Sequence, residues 1–214
     1  MVSLRVTALA GVALMACASA IAAPANHVVA NYGNVTVPFT HSVGNSFSGS
    51  ASAGFVSQDG ATVTTTQIDG ANYFYDDFVF TLPQAPQANF NAAAVTLDLG
   101  SFLSLQNFAA RLYKLNAGLS SLTTGQPDAG ALITPWTSTA LAAPGFNGTA
   151  VLFDDVPLEA GASYVLEFRG TIAGAFGGSY GGNLNITPVP EPQSAALVLA
   201  SLGALGVLVR RRQG

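Results

Sequence analysis

Carboxylates stand side by side at two places in the chain, Asp76-Asp77 and Asp154-Asp155. Paired carboxylates are the equipment of glycoside hydrolysis, one acting as acid and the other as base or nucleophile. Neighbours on an extended strand point to opposite sides, so neither pair can flank one glycosidic bond by itself. His27 and His41 are the only histidines, and no G-x-S-x-G elbow accompanies them, so a serine–histidine–acid triad has no support. His27 is expected near a frayed mature N-terminus and His41 at the surface beside a turn. Two histidines and the single cysteine, Cys17, do not make a zinc site. Calcium is the cation the acids would admit, with Asp59, Asp69, Asp154 and Asp155 expected in loops, but no EF-hand or nonapeptide spacing is present. No catalytic residue, metal ligand or cofactor is therefore assigned. Stacking on sugar rings remains: Tyr73, Tyr75, Trp136 and Tyr180 would form a platform if one open face carried them, and would otherwise serve as core aromatics.

Short strands must position these residues. Between Pro24 and Thr187 stand three basic side chains, Arg111, Lys114 and Arg169, against ten acidic ones. That acidic surface repels phosphate backbones and excludes nucleic acid as a partner. The body is long enough for one domain with a real core. Asn72 to Leu82 is the most distinctive stretch, rich in aromatics and stopped by Pro83. Strand alternation sets Phe74, Asp76, Phe78 and Phe80 on one face and Tyr73, Tyr75, Asp77 and Val79 on the other. The phenylalanine row reads as the core face, so Asp76 must be buried among rings. A bare carboxylate there would cost several kcal/mol. Asp76 is thus expected to accept hydrogen bonds from loop amides or hydroxyls, or to pair with Arg111 or Arg169. Asp77 is expected to face solvent or a tyrosine.

Further alternating segments follow at 91–99, 131–139, 148–153, 163–170 and 179–186. Gln106 to Leu115 fits both periods and is read as a strand, for want of a helix cap or helix-forming composition. Ser120 to Ala129 reads as a loop. Ser163–Thr171 and Ser179–Ile186 are expected to pair as an antiparallel hairpin. Eight to ten strands without a convincing body helix predict an all-β fold, a β-sandwich or jelly roll.

The two ends have a different character. Arg5, the apolar run Val6 to Ala16 and Ala18-Ser19-Ala20 read as a secretory signal peptide over residues 1–23. Leu14-Met15-Ala16-Cys17 loosely matches a lipobox, the alternative fate for Cys17. If the signal is cleaved, the mature protein has no cysteine and no disulfide. At the other end, Val189-Pro190-Glu191-Pro192 precedes an uncharged run, Ser194 to Val209, and then Arg210, Arg211 and Arg212. Sixteen residues of helix span ~24 Å, against ~30 Å of bilayer hydrocarbon. The run lacks an amphipathic stripe and ends on cations that snorkel to headgroups and hold the C-terminus on the cytoplasmic side. It reads as a transmembrane helix over 194–209.

Residues 188–214, with Val189-Pro190-Glu191-Pro192, the apolar helix and Arg210-Arg211-Arg212 in that order, resemble the PEP-CTERM sorting signal of Gram-negative bacteria. Phe74, Asp76 and Phe78 are also similar to the F-x-D-x-F signature of one PEP-CTERM family. The resemblance implies a membrane partner, exosortase, that cuts near Pro-Glu-Pro. It implies an exported protein, held briefly in the inner membrane and then delivered to the cell surface or extracellular matrix. It assigns no catalytic residues, and Phe74, Asp76 and Phe78 carry a structural reading only. The leading expectation is a non-enzymatic surface protein, 24–187, structural or adhesive in biofilm or exopolysaccharide. The alternative is a carbohydrate-binding module holding matrix glycans; a glycosidase-like enzyme ranks below both.

Overall fold

The structure is a computed structural model that describes residues 27–50, 54–57, 62–63, 66–68, 71–116, 130–143, 146–189 and 200–202. The signal segment, Cys17, Asp59, Asp69 and the loop at 120–129 lie outside the described residues.

Thirteen strands are named among the described residues, more than the eight to ten expected. They are β1 (His27–Asn34), β2 (Phe39–Ser50), β3 (Gly54–Ser57), β4 (Thr62–Val63), β5 (Thr66–Ile68), β6 (Ala71–Thr81) and β7 (Ala88–Thr96). Then come β8 (Leu105–Leu115), β9 (Gly130–Thr137), β10 (Thr139–Ala143), β11 (Phe146–Leu158), β12 (Ser163–Ile172) and β13 (Gly178–Pro188). One sheet runs β1-β6-β12-β8-β9, with β5 also on β6; the other runs β10-β11-β7-β13-β2-β3-β4. β1 joins β6 in parallel, while the other named pairs are antiparallel. Within them, β2-β13-β7-β11 and β6-β12-β8-β9 are two four-stranded antiparallel sets, and the chain passes between them in the order of a jelly roll.

Alternation in the sequence becomes the two faces of each sheet. Phe74, Phe78 and Phe80 of β6, Tyr164, Leu166 and Phe168 of β12, and Phe108 and Leu112 of β8 point inward from the first sheet. Val43 and Phe47 of β2, Phe90 of β7, Phe153 of β11, and Tyr180, Leu184 and Ile186 of β13 meet them from the second. Rings stack through this core, Phe80 on Phe90 at 5.8 Å between centroids and Phe108 on Phe168 at 5.6 Å. Each fully buried phenylalanine contributes about 1.5–3 kcal/mol, which lets a chain expected to lack disulfides fold on its core alone.

Four expectations are corrected here. β12 and β13 do not form a hairpin; they belong to different sheets, because the jelly roll sends the chain across the core between them. His27 is not frayed, since β1 pairs with β6 from His27↔Asp76 onward. Asp77 is not solvated but 0 % exposed. Its face of the sheet carries a second apolar cluster of Val79, Tyr113, Leu115 and Val165, and Asp77 stands in register with the buried Glu167. Asp154 and Asp155 lie within β11 at a bulge rather than in a loop. Asp155 has φ 46°, and both side chains are exposed there, as a bulge permits for neighbours that a regular strand would separate.

Candidate functional site

Chemistry-bearing side chains gather on both faces of β6. On the inner face Asp76 is 0 % exposed, among Phe74, Phe78 and Phe80. Its Oδ2 accepts a hydrogen bond from the Tyr180 hydroxyl at 2.6 Å and another from Asn45 Nδ2 at 3.0 Å. His27 Nδ1 lies 3.3 Å from Oδ1. The carboxylate is thus held by β13, β2 and β1 at once, which offsets the cost of burying it. Of the partners the sequence offered, a hydroxyl is found; the amide is the side chain of Asn45 within β2 rather than a loop amide. Arg111 and Arg169 are not partners, because both project from the opposite face. Tyr180 is wholly buried, and desolvation, followed by the charge of Asp76, pushes its pKa well above the ordinary 10.0. Phe74 and Tyr180 stack at 5.9 Å, and Phe78 meets Phe168 edge-on at 5.7 Å. Phe74, Asp76 and Phe78 therefore form a pin through the core and line no open cleft.

The outer face is different. Register across β6 and β12 sets Tyr73 beside Thr171, Tyr75 beside Arg169, and Asp77 beside Glu167. Arg111 of β8 adjoins Glu167 and donates to it through Nε. The Arg111 guanidinium lies 4.3 Å from the Tyr113 ring centre and 4.2 Å from that of Trp136. Arg169 lies 4.1 Å from Trp136, and Tyr75 meets the same indole at 6.4 Å, edge to face. Burial raises the Tyr113 pKa, with Arg111 opposing and Glu167 adding to the rise.

Beside this cluster an open cleft of about 260 Å³ is lined by Tyr73, Tyr75, Asn107, Arg169 and Gly170. Asn107 enters it through a bulge: β12 steps from Arg169 to Thr171 while β8 steps from Ala109 to Gln106. The extra residue leaves Asn107 exposed with φ 53°, a conformation that asparagine tolerates better than most side chains. Sequence reading missed Asn107, Arg169 and Gly170 as site residues. The bulge that recruits Asn107 is a matter of pairing and has no local signature.

Of the four aromatics considered for sugar stacking, Tyr73, Tyr75 and Trp136 share the outer face, half-buried, while Tyr180 is removed to the core. Asp154 and Asp155 lie on β11, away from the cleft; Asp155 exchanges hydrogen bonds with Asn91. Among the described residues no three His, Cys, Asp or Glu side chains group as metal ligands.

The tail begins where the sheet stops. β13 ends at Pro188, and Val189 N donates to Gln87 O at 2.9 Å. Of the sorting residues, Val189 is described; Pro190, Glu191, Pro192, Arg210, Arg211 and Arg212 lie outside the described residues. Of the expected helix at 194–209, residues 200–202 are described and are helical. No helix among the described residues is long and apolar enough to cross a membrane.

Fold and tail together define a two-sheet β domain with a sorting segment appended. Residues 188–213 match the family model of the PEP-CTERM protein-sorting motif. The match covers the tail alone and is consistent with a PEP-CTERM protein, one exported and processed at the membrane. Comparison with curated proteins and with solved structures gave no match.

Proposed function

We propose that the chain is an exported, non-catalytic surface protein, cut by exosortase near Pro190-Glu191-Pro192 and structural or adhesive in the extracellular polysaccharide matrix. Before the cut, residues 194–209 hold it in the inner membrane, with Arg210, Arg211 and Arg212 on the cytoplasmic side. The observation that carries this reading is the junction. The motif starts at residue 188, where the last core strand ends, so cleavage just beyond it removes no strand of either sheet. Mass spectrometry of surface-exposed protein tests it: the mature chain should end upstream of Arg210. Surface material that uniformly retains the three arginines would overturn the reading.

A second reading is favoured by the outer face of the β6 sheet. There Tyr73, Tyr75 and Trp136 stand together beside an open cleft, an arrangement suited to holding a matrix glycan.

A further inference from the structure

We propose that the cleft between Tyr73, Tyr75, Asn107 and Arg169 binds an acidic saccharide, a sugar ring that carries a carboxylate. The inference rests on the glycan-holding reading and deepens it by naming the ligand class and the residue that selects it.

Charge accounting comes first. Among the described basic side chains, Arg111 is paired with Glu167 and Lys114 with Glu159. Arg169 has no acidic partner among the described residues; its guanidinium rests against Trp136. With no acidic partner among the described residues, Arg169 offers a position for an anion. Arg169 lines the cleft while its guanidinium lies over the indole, and a guanidinium is a planar fork that matches a carboxylate.

The rest of the cleft fits a sugar ring. Tyr73 and Tyr75 are half-buried and line the cleft; a tyrosine offers an apolar ring with a polar hydroxyl. Asn107 supplies one amide donor pair and one acceptor, suited to adjacent sugar hydroxyls. Its backbone is held at φ 53° by the β8 bulge, the kind of local cost that persists where a side chain must be re-aimed. Next to Gly170, the Thr171 hydroxyl is buried and has no hydrogen-bond partner among the described residues, in register with Tyr73. Such a group is a reserve of hydrogen-bonding capacity one residue from the cleft lining.

The test uses the full exported protein as the cell delivers it. Its probes are oligomers of galacturonic acid and the same oligomers with their carboxyls reduced to alcohols. Calorimetry should show the acidic oligomer binding about tenfold tighter or more, as a charge-assisted contact gives, with the difference shrinking as salt rises. Arg169→Gln should abolish that preference, and a cooperative urea transition with a midpoint near that of the unaltered protein shows that the variant is folded. Asn107→Gly, which relieves the positive φ, should weaken both oligomers alike. Equal binding of the two oligomers by the unaltered protein would overturn this inference and leave the glycan-holding reading intact. No binding of either would overturn both. A preference that survives Arg169→Gln would remove the anion from this cleft.

Discussion

Tyr180 of β13 donates its phenolic hydrogen to Asp76 Oδ2 of β6 across 2.6 Å, joining one sheet to the other through the core. Both residues are buried, and Asn45 of β2 binds the same oxygen at 3.0 Å. The aspartate inside the phenylalanine row is therefore a tie between layers, and its removal strands polar groups on three strands.

Asp76→Ala should lower stability by about 3 kcal/mol or more, since it leaves the Tyr180 hydroxyl and the Asn45 amide buried without their acceptor. Tyr180→Phe should cost less, about 1–2 kcal/mol, because Asn45 still serves the carboxylate. Urea unfolding of the exported protein measures both as a lower midpoint at unchanged slope. The double variant should be less destabilised than the two single effects added together.

Alkaline pH should act through Tyr180. Its folded pKa is raised above the ordinary 10.0 by burial and by the nearby Asp76. Folding thus favours the neutral phenol. The contribution is complete below pH about 10 and is lost as pH rises from there toward the folded value. Stability measured against pH should hold up to that point and then fall. The fall should be shallower in Tyr180→Phe, which has no phenol to ionise.

Gly170→Ala should destabilise by about 1–3 kcal/mol through overpacking. A Cβ at this position would lie 2.7 Å from Phe74 Cε1 and 3.3 Å from Gln106 O. The residue lets the Phe74 ring fill the core while its backbone lines the cleft. Thermal unfolding checks the cost. A companion Phe74→Leu should relieve part of it, because the clash is with the ring.

Trp136 is the sole tryptophan, so its emission reports on the outer face. Trp136→Ala should cost about 1–2 kcal/mol by removing the ring that two guanidinium groups share. With Trp136 in place, Arg169→Gln should shift the emission spectrum by changing the charge beside the indole, with little change in unfolding midpoint. Fluorescence and denaturation on one sample separate these outcomes.

Much of the first sheet was legible in the residues. The alternation of Phe74, Asp76, Phe78 and Phe80 places the inner face of β6, and a carboxylate among rings demands donors. The same reasoning placed Tyr73 and Tyr75 outward. It failed for Asp77, because outward on a central strand did not mean wet: Val79, Val165 and Tyr113 close that face at its middle. For Tyr180 it left platform and core both open; the row in β13 has the same parity as Leu184 and Ile186 and turns to the core. The paired aspartates of β11 escaped the alternation rule because a bulge breaks the period between them.

By itself the sequence determined most of the core strands, the two faces of β6, that Asp76 must be satisfied, and that residues 188–213 carry a sorting motif. These follow from a period of two, from the cost of burying charge, and from a contiguous run of residues, all of which are local. Only the tertiary structure decided that Tyr180 and Asn45 satisfy Asp76, that β12 lies between β6 and β8 rather than against β13, and that Asn107, Arg169 and the two tyrosines share a cleft. Strand pairing joins residues far apart in the chain, and which strands meet is settled by burial summed over both sheets. No single segment carries that sum.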